Sequence, residues 1–274
     1  MTRRASDGTC FEMFGEASGA RPTVFLIHGV GLNRKMWQWQ TDALGARYQI
    51  ITYDLFGHGE SPPPPSHPTL TLLSNQLRGL LDDLGLSQAA VAGFSLGGMI
   101  ARRFAMDHQE RLSALAILAS SHRRTPDAQE AIEKRIEETR RHGPAFTVEA
   151  ALERWFTEAF RTTHPTVVDR VRQWVLANDG AVYPGLYRLL ADGVDELIAP
   201  SEPIICPTLV MTGEEDFGNS PEMTQAIAAE IPGAKSIILS GLRHLAMMEA
   251  PTAFNEPLLS FLEMHVRLDN EARR

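Results

Sequence analysis

The sequence predicts an α/β fold, with a mostly parallel central sheet, helices on both faces and one helical cap set into it. Three observations carry this reading. Short apolar runs alternate with helical patterns up to residue 120, the pattern becomes helices only between 121 and 203, and the alternation then resumes. Parallel strands need a crossover of a dozen or more residues, and the spacing here supplies one each time. A chain of 274 residues that is 43% hydrophobic can bury one large core of this kind.

In chain order, Thr23-Val24-Phe25-Leu26-Ile27 ends at His28-Gly29 and suits a strand buried on both faces. A helix over 37–44, a strand over 48–53 and a glycine-rich turn over 54–59 follow. The prolines at 62–65 cannot continue either element. Leu73, Leu77, Leu80, Leu81 and Leu84 recur at helical spacing, so 69–84 reads as a helix that Gly85 stops. Strands over 89–93 and 115–118 bracket a helix over 97–108. The cap reads as helices over 128–141, 148–160, 167–177 and 186–198, punctuated by Gly143-Pro144, His164-Pro165 and Tyr183-Pro184-Gly185. Beyond Pro203 come a strand over 208–212, a helix over 221–230, a strand over 236–239 and a closing helix over 254–266. The division is therefore a core of 1–120 plus 204–274, with a cap of 121–203.

The net charge of -8, with no concentrated basic patch, repels a phosphate backbone and argues against nucleic-acid binding. No apolar run follows Arg3 and Arg4, and none approaches the ~20 residues of a membrane span. Neither a secretory leader nor a membrane partner is expected. Cys10 and Cys206, the two cysteines, are too few for a disulfide framework or a thiolate metal site, which favours the reducing cytoplasm.

Gly93-Phe94-Ser95-Leu96-Gly97 fits G-x-S-x-G between a strand and a helix. A serine at the tip of such a sharp turn needs small residues on either side, and the helix N-terminus behind it favours developing negative charge. An alcohol needs a base to act as a nucleophile, and His244, just beyond the last strand, is best placed. His28 and His58 sit in glycine-rich loops, where holding a loop is the simpler role. The base needs an orienting carboxylate. Asp216 in Gly213-Glu214-Glu215-Asp216 is the choice and Glu215 the alternative, while Asp54 precedes the serine and reads as a loop-fixing residue. Oxyanion donors are expected from the backbone N–H of Leu96 and of Val30, with Gly31 as the alternative to Val30. Gly29, Gly31, Trp155, Phe156, Trp174, Met247 and Met248 are candidate pocket residues. No metal site is indicated.

Together, His28-Gly29-Val30-Gly31, the turn from Asp54 to Ser61, Gly93 to Gly98, Gly213 to Asp216 and His244 resemble the α/β-hydrolase superfamily. Within it they look most like the branch of 3-oxoadipate enol-lactonases, carboxylesterases and carbon–carbon bond hydrolases. The resemblance implies the α/β-hydrolase fold, no cofactor, a cap that shapes the pocket, and a small ester, lactone or thioester as substrate. Arg161 or Arg188 on the cap would be placed to clamp the carboxylate of an enol-lactone. Arg243 stands where the branch often has glycine, and Phe217-Gly218-Asn219-Ser220 where prolines are common. A serine at position 95 argues against the dehalogenase and epoxide hydrolase relatives, which use aspartate there. The leading expectation is a serine esterase or lactonase working through an acyl-enzyme on Ser95. The alternatives are a C–C bond hydrolase of a vinylogous diketone and a non-enzymatic ligand receptor. The oligomeric state is left open.

Overall fold

The structure is a computed structural model that describes residues 1–15 and 21–266. Its eight strands are β1 (Arg3–Arg4), β2 (Cys10–Phe14), β3 (Thr23–Ile27), β4 (Gln49–Tyr53), β5 (Ala89–Phe94), β6 (Leu112–Leu118), β7 (Thr208–Gly213) and β8 (Lys235–Leu239). They form one sheet in the order β1-β2-β4-β3-β5-β6-β7-β8. From β3 to β8 all neighbours are parallel, and β2 pairs antiparallel with β1 and β4. The β1–β2 edge hairpin is absent from the sequence reading. Its short strands lack both a long apolar run and a following helix, and pairing with β4 holds them in place.

The helices are α1 (Gln38–Leu44), α2 (Leu70–Asp83), α3 (Leu96–His108), α4 (Pro126–His142), α5 (Pro144–Trp155), α6 (Glu158–Thr163), α7 (Pro165–Leu176), α8 (Tyr183–Asp192), α9 (Pro221–Glu230), α10 (Ala246–Glu249) and α11 (Pro251–His265). Successive strand residues point to opposite faces, so the sheet carries two cores. Phe25, Ile27 and Val91 pack with α2, α3 and α8, whereas Val24, Leu26 and Phe94 pack with α5, α7 and α11. All of these strand residues are buried, which is why β3 reads as a continuous apolar run rather than an alternating one.

Helices α4 to α8 lie between β6 and β7, within the segment read as a cap. The single helix expected over 148–160 is two. Phe156 leaves the helical region (φ −124°, ψ 143°), and the Thr157 side chain caps α6 by accepting from the Phe160 N–H. The Glu249 carboxylate accepts from both the Thr157 N–H (3.0 Å) and its hydroxyl (2.6 Å). Tertiary contact breaks the helix there, without glycine or proline. The helix expected over 186–198 likewise ends at Asp192, where Gly193 caps it. Among the described residues, no helix is long and apolar enough to cross a membrane.

The chain runs from β3 to β4 on one side and then crosses back to β5 on the other. The crevice at the carboxyl ends of β3 and β5 is thus a topological switch point, where open α/β sheets bind ligands.

Candidate active site

Ser95 follows β5 directly and adopts φ 55°, ψ −115°, a left-handed conformation costing roughly 1–3 kcal/mol for a residue with a side chain. Surrounding bonds hold it there. The Ser95 N–H donates to Leu118 O (2.8 Å), and its carbonyl accepts from Ser120 Oγ (2.9 Å) and the Gly98 N–H (2.9 Å). The flanking glycines allow the turn to close. A Cβ at Gly93 would lie 2.1 Å from Gly97 O, and one at Gly97 would lie 2.3 Å from Ile27 O, so helix α3 could not approach β3 and β5 as it does.

His244 arrives on the loop after β8, and Asp216 on the turn after β7. His244 Nδ1 and Asp216 Oδ2 are 2.7 Å apart. The other carboxylate oxygen, Oδ1, accepts from the N–H groups of Gly218 and Asn219, both at 3.0 Å, and Thr212 Oγ1 donates to Oδ2 at 3.2 Å. The carboxylate is 2% exposed, so its orientation is set by these bonds rather than by solvent. Glu215, the alternative acid, points away from His244 toward Arg243 at 3.4 Å. The His244 ring packs against Phe94, with centroids 4.6 Å apart, and lies 6.2 Å from Trp155.

Ser95, His244 and Asp216 line one cavity, together with Gly29, Val30 and Trp155. No hydrogen bond joins Ser95 Oγ to His244 among the described residues. General-base pairs are commonly this loose before a substrate tightens them. Leu96 is the first residue of α3, so its N–H lacks an intrahelical acceptor. The Val30 N–H donates to no group among the described residues. Gly31 is different, because its N–H donates to His58 Nε2 at 3.0 Å and is therefore committed.

The glycine-rich loops rest on two buried histidines. His28 Nδ1 donates to Gly29 O (2.8 Å) while its Nε2 accepts from the Leu55 N–H (2.9 Å). Burial pushes His28 down to about 4 and His58 down to about 3, and the nearby His28 adds to the second shift. Both rings are neutral near pH 7 and link the loops after β3 and β4. Asp54 fixes the same loops, accepting from the Arg34 N–H (2.8 Å), the Glu60 N–H (2.9 Å) and the Arg34 guanidinium.

Several expected pocket residues lie elsewhere. Met247 and Phe156 are fully buried in the core beneath the cap helices, with Met248 beside them, and do not line the cavity. Gly31 sits behind the loop, its carbonyl taken by Asn178 Nδ2 (3.0 Å). Trp174 faces a separate groove shared with Arg170 and Gln38. Arg161 lies in an outer groove with Glu149 and Asp169, and Arg188 faces Asp192 at 3.7 Å, so neither reaches Ser95. The cavity's arginines are instead Arg124, Arg135 and Arg154, which the sequence reading missed. Arg243 also gains a role, because its guanidinium donates to the carbonyls of Glu153 (2.7 Å) and Phe156 (3.1 Å). It thereby ties the His244 loop to the end of α5. Among the described residues, no group of three or more His, Cys, Asp or Glu side chains could hold a metal ion.

A switch-point sheet with a serine elbow after its central strand marks a class of hydrolytic enzymes. The chain belongs to the alpha/beta hydrolase family, whose model it matches over residues 24–256. It is 28% identical to the (E)-2-((N-methylformamido)methylene)succinate hydrolase of Acinetobacter baylyi over 263 residues, 96% of this chain and 97% of the relative. It is also 28% identical to 3-oxoadipate enol-lactonase 2 of the same organism, over 89% of each chain. Among solved structures, the enol-lactonase of Burkholderia xenovorans superposes with a TM-score of 0.87 at 26% identity, covering 96% of this chain and 100% of that one. The protein is therefore an α/β-hydrolase near the enol-lactonase branch.

Proposed function

We propose that the protein is a serine hydrolase that cleaves a small carboxylic ester or lactone through an acyl-enzyme on Ser95. The observation that carries this reading is one cavity lined by a serine in a strained turn and by a histidine bonded to a buried aspartate at 2.7 Å. Ser95 Oγ attacks the carbonyl carbon as His244 Nε2 takes its proton, and Asp216 holds the Nδ1–H tautomer and balances the imidazolium. The N–H groups of Leu96 and Val30 receive the oxyanion. Collapse of the intermediate expels the alcohol, protonated by His244, and water then releases the acid by the same steps in reverse order. The relatives named as an enol-lactonase and a hydrolase support this chemistry, which needs no cofactor. Unpaired, buried Cys10 and Cys206 suit work in the cytoplasm.

Replacing Ser95 with Ala should lower turnover of short 4-nitrophenyl esters by at least ~10³-fold while the circular dichroism spectrum stays unchanged. A sulfonyl fluoride should add its mass to the wild-type chain at Ser95. Undiminished turnover in the variant would overturn the assignment. Turnover of a vinylogous diketone with negligible esterase activity would move the protein to C–C hydrolysis, and failure of the adduct to form would favour a receptor.

A further inference from the structure

The proposed reaction leaves the cavity's three arginines without a task. Arg124 lies just before α4, Arg135 on α4 and Arg154 on α5, all in the segment between β6 and β7. Many arginines elsewhere among the described residues pair with acids. Arg140 and Arg141 share Glu137 on α4 itself, and Arg103, Arg111 and Arg172 pair with Asp107, Asp82 and Glu149. The cavity arginines do not. Arg124 donates to Ser121 Oγ (2.8 Å) and Arg154 to the carbonyl of Ala150 (2.7 Å), neither of which is an anion. Arg124 Nη1 and Arg135 Nε are buried with no hydrogen-bond partner among the described residues.

Electrostatics make the arrangement costly as it stands. Burial, and then the neighbouring Arg135, push Arg124 down to about 10 and lower Arg154 as well. Among the described residues, the one acid lining the cavity is Asp216, which already serves His244 and the turn at Gly218 and Asn219. A protein of net charge -8 has thus gathered partly desolvated cations in one place, where Glu153, next to Arg154, offsets only part of their charge. Guanidinium donors in a low-dielectric cavity bind carboxylates through short, paired, charge-assisted bonds.

We propose that the ester or lactone carries at least one carboxylate, which is held by Arg124, Arg135 and Arg154 while its scissile carbonyl lies at Ser95. This rests on the serine-hydrolase reading of the same cavity. The cations come from the helical segment and the nucleophile from the sheet edge, so the distance between carboxylate and carbonyl becomes a specificity determinant.

The test compares mono-4-nitrophenyl adipate, which ends in a carboxylate, with 4-nitrophenyl hexanoate, which ends in a methyl group. Wild-type kcat/KM should favour the anionic ester by about 10–100-fold, the value of one or two hydrogen bonds to a charged group. Arg135→Gln and Arg154→Gln should each lower that ratio toward one, and Arg135→Lys should retain part of it. A wild-type ratio of one or below overturns the proposal. If neither ester is turned over, the hydrolase reading is at fault, and binding decides the arginine reading separately. Adipate dianion should raise the wild-type melting temperature by roughly 5 °C at saturating concentration and matched ionic strength, and should do so less in Arg135→Gln. No rise with adipate, or a rise with inorganic phosphate alone, overturns the carboxylate assignment.

Discussion

At the scale of single residues, the two oxygens of Asp216 divide the work. Oδ2 faces His244 Nδ1, and Oδ1 is bound by two backbone N–H groups that keep the carboxylate from rotating. Asp216→Asn preserves the shape but not the bonding. If its amide oxygen stays with the Gly218 and Asn219 N–H groups, its NH₂ faces Nδ1 and selects the wrong imidazole tautomer. Turnover of a 4-nitrophenyl ester should fall by about 10⁴-fold with the fold intact, whereas Glu215→Gln should stay within a few-fold of wild type. The opposite ranking would transfer the orienting role to Glu215. The positions of Ser95, Asp216 and His244 at one sheet edge were legible because strand ends and glycine spacing fix them locally. The cavity arginines were not. On α4, Arg135 stands beside Lys134 and near Arg140 and Arg141, and nothing in that pattern tells a cavity-facing cation from a solvated one.

At the scale of elements, the loops after β3 and β4 are fastened to one another by polar groups with no exposure to spare. Asp54 is fully buried and Arg34 nearly so, and together they bridge the short 3₁₀ turn before α1 to the turn at Glu60. Glu60 and Glu12 would still face the Arg34 guanidinium, but loss of Asp54 strips the Arg34 and Glu60 N–H groups and one arm of that guanidinium of their acceptor, at a cost of about 3 kcal/mol. Asp54→Ala should therefore lower the melting temperature by roughly 10 °C. It should also weaken activity, because Leu55 bonds to His28 beside the Val30 donor. A melting temperature within 2 °C or so of wild type would contradict the buried pairing. The same contrast between local and distant causes explains which elements the sequence revealed. Strands β3 to β7 announce themselves because each is buried on at least one face and followed by a turn, and β8, buried at Leu239 alone, by its apolar run Ile237-Ile238-Leu239. The break at Phe156–Thr157 does not, because the carboxylate that completes it, Glu249, lies 92 residues away in sequence.

At the scale of the whole molecule, the neutral state of His28 and His58 links stability to pH. Each is held below its ordinary value of 6.5, to about 4 and about 3, chiefly by burial. Between 6.5 and those values the unfolded chain binds protons that the folded chain refuses, so stability rises with pH across that window and is lost as pH falls. The contribution is complete above about pH 6.5. At pH 5 each imidazole forfeits up to about 2 kcal/mol, at 1.4 kcal/mol per pH unit. Together that is a lowering of the melting temperature by up to roughly 10 °C relative to pH 7.5. His265, lowered by its burial and by Lys235, acts in the same direction. The carboxylates that the fold favours in their charged form, Glu60, Asp83 and Glu214 among them, act in the same direction but enter only nearer pH 4, below the range from 7.5 to 5.0. Thermal unfolding at half-unit steps from pH 7.5 to 5.0 should therefore show a plateau above 6.5 and a steady decline beneath it. A flat curve would mean that the two rings carry protons inside the fold. In that case the Leu55 and Gly31 N–H groups could not donate to them, and the bridge between the loops would need another basis.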